Sequence, residues 1–358
     1  MTFTFRDDWE LIRQRYEAWW EQAPINRPIV RITAPRRTPA IIAPPVNSQA
    51  LLTWFTDPAI VLPRLEAQVS ATYYAGDAFP WVDPTSQSLA AIEAAYLGAP
   101  YRIDPQTLTG WADPIIAGWQ PHPTITPEMD NFWWQATQRL LESAASESQG
   151  RYVISIPDLQ GGGEILALLR GSEALAYDLV DQPEVIVPAI DAINRAWLEY
   201  YLACYEIIHR WQSGYVDWLG IWSDLPAVTV ECDYAVMVSP RMFVCHFLPG
   251  VAQQVDMVSR SVFHLDGPGA IPHLDSLLAL PGLRAIQWVP TPDRPSPLQW
   301  IPLLQRIQAG GKGVVVACSP HEVLPLLQAL NPQDVILTTT CTSPAEADSL
   351  LSAVNQLS

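Results

Sequence analysis

The sequence predicts an α/β chain, a (β/α)8 barrel with an N-terminal helical, aromatic-rich extension. Three observations predict it. From about residue 150 onward, short β-branched runs alternate repeatedly with helical patterns, which calls for a parallel sheet. No GxGxxG follows a strand and no GxxxxGK[ST] occurs, so neither nucleotide-binding fingerprint supports an open doubly wound sheet. Of the 358 residues, 49% are apolar or aromatic and only 16% are charged, which suits a large buried core and not a disordered chain.

In chain order, Asp7 and Glu10 stand at capping-box spacing ahead of Leu11, Ile12, Tyr16, Trp19 and Trp20, which recur at helical intervals. A strand is expected at 28–33. Residues 35–46 are proline-rich and read as a surface loop. Asp57-Pro58 then opens a helix, with Asp as cap and Pro in the first turn. Between 73 and 135 the chain is irregular and aromatic, and reads as a loop-rich layer lying over the rest. Residues 1–150 are thus a loop-rich N-terminal portion, and 151–358 carry the main βα repeats of a single domain, 1–358. Strands are expected at 152–157, 215–222, 228–232, 261–265, 284–288, 313–317 and 335–339. Helices are expected at 184–211, 240–258, 272–280, 297–309, 320–329 and 344–356. The 34 prolines fall mostly between these segments, where they end helices and set turns.

Charge narrows the function classes. The formal net charge is −17, from 37 acidic against 20 basic side chains, and Lys312 is the only lysine. Phosphate backbones and anionic headgroups would repel such a chain, so nucleic acids and membrane surfaces are disfavoured as partners and a small molecule is favoured. The N-terminus lacks the basic start and apolar run of a signal peptide, and no stretch approaches the ~20 apolar residues of a membrane span. The expectation is a cytoplasmic protein. Five cysteines, an odd number without a CxxC pair, read as free thiols or metal ligands. Cys204 and Cys245 lie in apolar helical patterns and read as small buried hydrophobes.

In a parallel barrel the active site is built at the C-terminal ends of the strands. That rule selects Asp158, Trp222 with Asp224, Glu231 with Cys232, His264 with Asp266, Gln287 with Trp288, Cys318 and Cys341. His264 and Asp266 point to the same side of an extended segment, and Gly267 permits a tight turn after them. Cys341 ends the last expected strand. One imidazole, one carboxylate and one thiolate leave a fourth tetrahedral position open, as in catalytic zinc sites. The bland alternative is a histidine held by its neighbouring aspartate inside the barrel. His273, at the start of the following helix, could reach the same mouth. Asp158, Asp224, Glu231, Asp233 and Asp266 also allow a metal-free enzyme that works by paired carboxylates, whose glycosidase form needs a separation of about 5–9 Å. A binding protein without chemistry is a third reading.

Several segments resemble one family. Ser239-Pro240-Arg241-Met242-Phe243 followed by Phe247-Leu248-Pro249 is similar to the SPxxF…P segment of the uroporphyrinogen decarboxylase superfamily. Phe263-His264-Leu265-Asp266-Gly267 falls where the corrinoid-dependent methyltransferases of that superfamily carry an H-x-C-G zinc motif. Thr340-Cys341-Thr342-Ser343-Pro344 falls where they carry a C-terminal zinc cysteine. The segment Gly161–Gly171 and Asp181-Gln182-Pro183-Glu184 also resemble the family, and the likeness covers about residues 150–356. It implies a TIM barrel, zinc held by His264 and Cys341 with Asp266 in place of the family's middle cysteine, and methyl transfer involving a corrinoid on a partner protein. Asp158, Asp224 and Gln287 would serve the chemistry, Trp222, Trp288 and Glu231 would bind substrate, and a homodimer is compatible with the resemblance. The decarboxylase branch's arginine-bearing MRQAGRY loop has no counterpart, because Arg13-Gln14-Arg15-Tyr16 lies in an amphipathic helical pattern. Porphyrinogen decarboxylation is therefore not expected.

Overall fold

The structure, a computed structural model, describes residues 6–37, 43–85 and 89–357. Its strands are β1 (Ile29–Pro35), β2 (Thr72–Gly76), β3 (Trp81–Val82), β4 (Tyr101–Ile103), β5 (Gly110–Ala112), β6 (Val153–Ile154), β7 (Ala227–Val230), β8 (Arg260–Asp266), β9 (Ala285–Val289), β10 (Gly313–Ala317) and β11 (Val335–Thr340). Seven of them form one sheet in the order β2-β1-β11-β10-β9-β8-β7, parallel except for the antiparallel β1–β2 edge. β10 and β11 owe their place to unbroken β-branched runs, whose first residues are buried on both faces as a covered parallel sheet requires. The helix Ile301–Ala309 lies between β9 and β10, and Pro344–Gln356 follows β11, with Leu304, Ile307, Ala347 and Val354 buried.

Among the described residues the hydrogen-bonded sheet does not close on itself. β3 and β6 form a separate parallel pair, and a single parallel bridge joins Ser155 to Val216. Next to that bridge the Thr229 hydroxyl of β7 donates to the Asp217 carboxylate at 2.5 Å. A side-chain bond thus stands where a backbone ladder would join β7 to residue 216.

Several expectations are corrected here. The strand expected at 215–222 is only a bridge, because Tyr215 pairs antiparallel with Ser223 and the chain reverses through Asp217–Gly220. Gly220, at φ +69°, permits that reversal. The capping box at Asp7 does not form: the helix Trp9–Trp20 starts after Asp8, whose carboxylate accepts from Arg6 and makes no cap bond. The helix expected at 240–258 is interrupted by a π-helical turn, Phe243–Phe247, which shifts the phase of the helix. Cys245 lies in that turn and is exposed, whereas Cys204 is buried. The aromatic stretch at 73–135 carries only short elements, β2 to β5 and the helix Ile92–Tyr96, and at its end Phe132–Ser148 is a helix capped by Asn131, which accepts from the Trp133 amide at 2.8 Å. Gly162–Arg170 and Ser172–Asp181 are helices as well. Part of the proline-rich loop, 38–42, lies outside the described residues. No helix among the described residues is long and apolar enough to cross a membrane.

The N-terminal helix is fastened to the sheet by one buried carboxylate. Asp77, fully buried, accepts from Arg15 at 2.5 Å, from Arg27 at 2.5 Å and from the Val30 amide of β1 at 3.0 Å. Removing one member of such a buried set leaves guanidinium charge uncompensated, at a cost of about 3–5 kcal/mol. Asp77→Asn should therefore lower unfolding stability by about that amount in urea melts; a loss below about 1 kcal/mol would mean that water already compensates the two arginines.

Candidate metal and carboxylate site

Consecutive strand ends bring the candidate residues together. Asp158 follows β6, Asp217 follows the bridge at Val216, Glu231 and Asp233 follow β7, His264 and Asp266 end β8, and Gln287 lies in β9. The parallel register sets His264 opposite Gln287. His264 Nδ1 lies 2.6 Å from Gln287 Oε1. An amide oxygen can only accept, so Nδ1 carries the hydrogen and Nε2 keeps its lone pair free. Trp218 packs edge-on against the imidazole, ring centroids 5.3 Å apart.

Ligand atoms of Asp233, His264 and Asp266 all lie within 4.8 Å of one another, the one such group among the described residues. His264 and Asp233 are half-buried and Asp266 is exposed, so the group opens to solvent on the Asp266 side. Gly267 follows at φ +70° and turns the chain out of the strand. The donors suit a divalent ion. They comprise one imidazole nitrogen of fixed tautomer and two carboxylates, and neither carboxylate forms an ion pair among the described residues.

Around this group the field is acidic. Burial pushes the Asp158 carboxyl up to about 8, helped by Asp83, Asp217 and Asp233. Burial likewise raises Glu231 well above the ordinary range, with Asp158 and Asp233 adding to it. Asp217 is raised by burial against the opposing Thr229 hydrogen bond, and Glu164 by burial against a hydrogen bond from the Tyr234 amide. Burial raises Asp233 too, although His264 opposes it. Glu231 is 6% exposed, and its Oε1 has no hydrogen-bond partner; nor do Asp158 Oδ1 and Glu93 Oε1.

Other expected site residues lie elsewhere. Cys341 does not join His264 and Asp266, because β9 and β10 separate its strand from β8. It is 2% exposed, its amide donates to Thr33 at 2.8 Å, and the charge that bears on its thiol is that of Glu346 in the closing helix. Asp224 is ion-paired with Arg260, the first residue of β8, at the opposite end of that strand from His264. Trp222 sits at that end too: its carbonyl accepts from Trp20 Nε1, and its ring packs on Trp9. Both follow from the missing strand at 215–222, which makes Asp217 the strand-end residue. Trp288 alternates away from Gln287 and packs on Trp300 of the outer layer. His273 is buried, donates from Nε2 to the Ala235 carbonyl and stacks near Phe243. Cys232 and Cys318 are thiols raised by burial, which keeps them protonated. Asp233, the third member of this group, is a residue that sequence reasoning did not place with His264 and Asp266. The signal was present in the E-x-D that follows the strand neighbouring H-x-D.

The fold is similar to that of a methyltransferase from Methanosarcina mazei, with a TM-score of 0.62 and 12% identity over 97% of this chain and 98% of that one. At that identity the likeness concerns the fold. No protein-family model matches the chain, and no curated protein matches its sequence.

Glu93 supplies a pH prediction. It is fully buried, accepts from the Gly161 amide at 3.1 Å, and burial raises its carboxyl from 4.5 to about 8. Between those values the unfolded chain has lost the proton that the native state keeps, so stability falls as pH rises, by about 1.4 kcal/mol per unit at most for one group. Glu93→Gln should therefore stabilise the protein by on the order of 2–4 kcal/mol at pH 8.5 and by almost nothing at pH 4.5. Equal effects at both pH values in denaturant melts would contradict the buried, protonated carboxyl.

Proposed function

We propose that this chain is a metal-dependent enzyme of methyltransferase type, with zinc or a similar divalent ion held by His264, Asp233 and Asp266. The observation that carries the reading is the convergence of these three donors beside Gln287, which fixes the histidine tautomer. When bound, such an ion supplies positive charge that favours the deprotonated form of an acceptor and so its attack on a methyl group. The chain's own residues do the rest. Gln287 orients the imidazole, and the half-buried wall of Trp218 excludes water from one side of it. Asp158, protonated at neutral pH, holds a proton at its carboxyl that can be given to a leaving group.

Methyl transfer is favoured among metal-assisted reactions by the fold likeness, which spans nearly the whole of both chains, together with the H-x-D segment. In this reading β3, β6 and residue 216 complete a (β/α)8 wall, and a corrinoid on a partner protein would supply the methyl group. With carboxylates in place of thiolates the site donates less charge to the ion, so a bound thiolate acceptor would keep less nucleophilicity than at a thiolate-ligated site. A metal-free reading, a decarboxylase or hydrolase working through carboxylates, is favoured by one observation: burial raises both Asp158 and Glu231, and the charge of Asp158 adds to the rise at Glu231.

Metal analysis separates the two readings. Protein stripped with chelator and reloaded should take up one equivalent of zinc. His264→Ala and Asp233→Asn should lose it, Gln287→Ala should weaken affinity about 10–100-fold, and Cys341→Ala should keep it. Folded protein that binds no metal, or a His264→Ala variant that binds it as well as the parent, would remove the metalloenzyme reading.

A further inference from the structure

We propose that a cavity in the N-terminal layer binds a small organic carboxylate with an apolar body, anchored by Arg64. The cavity, of about 260 Å³, lies between the helices Ser48–Thr56 and Pro58–Ala71, the end of β3 and the turn that joins β4 to β5. Trp54, Phe55, Leu65 and Leu108 supply its apolar walls. None of Asp233, His264 and Asp266 lines it, so the site stands apart from the metal assignment.

Arg64 is the one cation in the lining, and it is half-buried. Its guanidinium carbon lies 3.6 Å from the centroid of the Trp54 ring, Nε donates to the Ile60 carbonyl at 3.1 Å, and Nη2 donates to the Trp54 carbonyl at 2.6 Å. Stacking and two carbonyl bonds fix the plane of the group, so little freedom is left to lose when a ligand binds. A guanidinium has five N–H donors, and only these two bonds use them among the described residues. No carboxylate compensates the charge. Glu66, two residues on, pairs with Arg151 instead, and burial is what acts on Arg64, lowering its hold on the proton. Asp83 also lines the cavity, but its charge does not bear on Arg64, and its Oδ1 accepts from the Thr85 amide at 2.9 Å and the Thr85 hydroxyl at 2.5 Å. A half-buried cation without a counter-charge gains from an anion that enters beside it.

Charge and size select the anion. One guanidinium balances one negative charge, and Asp83 adds repulsion, so a phosphate dianion is disfavoured and a carboxylate, whose two oxygens match the guanidinium fork, is favoured. Small-molecule sites run from about 300 to 1,000 Å³, so this cavity, near the lower end, suits a body no larger than a single ring. The apolar walls call for that body to be apolar.

The test titrates phenylacetate into full-length protein stripped of metal, so that no bound ion can take up the carboxylate, and follows the heat of binding by calorimetry. Saturable binding is expected. Arg64→Gln should weaken it about tenfold or more. Arg306→Gln, which removes the same charge from an exposed pair with Asp275, should leave it unchanged. The uncharged isostere phenylacetamide should neither bind saturably nor compete. Circular dichroism checks that each variant is folded. If Arg64→Gln is not, Leu65→Trp, which fills the cavity and keeps the guanidinium, takes its place with the same expected loss. Absence of saturable binding to the parent, phenylacetamide binding as tightly as phenylacetate, or parent-like affinity in a folded Arg64→Gln or Leu65→Trp variant would overturn the proposal.

Discussion

The site depends on one register. Parallel pairing of β8 with β9 sets His264 opposite Gln287, and the resulting 2.6 Å contact decides which imidazole nitrogen is free. A shift of one residue would turn His264 toward the helical layer and Leu265 toward the mouth, because side chains alternate along a strand. The register is held from both sides. Val262, Phe263 and Leu265 are buried, and so are Ala285, Ile286 and Trp288 on the partner strand. Burial of those side chains keeps His264 and Gln287 facing each other, so the packing of the sheet sets the chemistry of the imidazole.

That constraint explains why so much negative charge is tolerated. Asp158, Asp217, Glu231, Asp233 and Glu164 share one end of the sheet with a single histidine. Carboxylates crowded at low dielectric cannot all ionise, and the buried members respond by holding protons. The fold accepts this cost because its stability is secured elsewhere: by the apolar strands, and by buried charge that is fully paired, as at Asp77. A cation arriving at this end of the sheet would let the carboxylates ionise.

The α/β class and the order of the later strands were legible because β-branched runs and proline-bounded helices repeat plainly from β7 to the closing helix. The strand–helix alternation also led to His264, Asp266, Gln287, Glu231 and Asp158 through the strand-end rule. It failed where the chain reverses within a few residues. Tyr215–Trp222 reads as a strand, yet Gly220 at positive φ folds it back on Ser223, so Asp217 takes the position expected of Trp222 and Asp224. Cys341 ends its strand as expected, but two intervening strands separate that strand from the one that carries His264 and Asp266, a separation that spacing in sequence does not encode. The phase shift at Phe243–Phe247 was equally hidden, because a π-helical turn leaves no mark in apolar periodicity over so short a run.

The central claim is that nitrogen and oxygen, without sulfur, hold the metal. X-ray absorption at the zinc edge of the reloaded protein tests it most directly. A first shell fitted entirely by N/O scatterers at about 2.0–2.1 Å, with an imidazole contribution, is the predicted result. A sulfur scatterer near about 2.3 Å that disappears in Cys341→Ala would contradict it, and would return Cys341 to the coordination sphere.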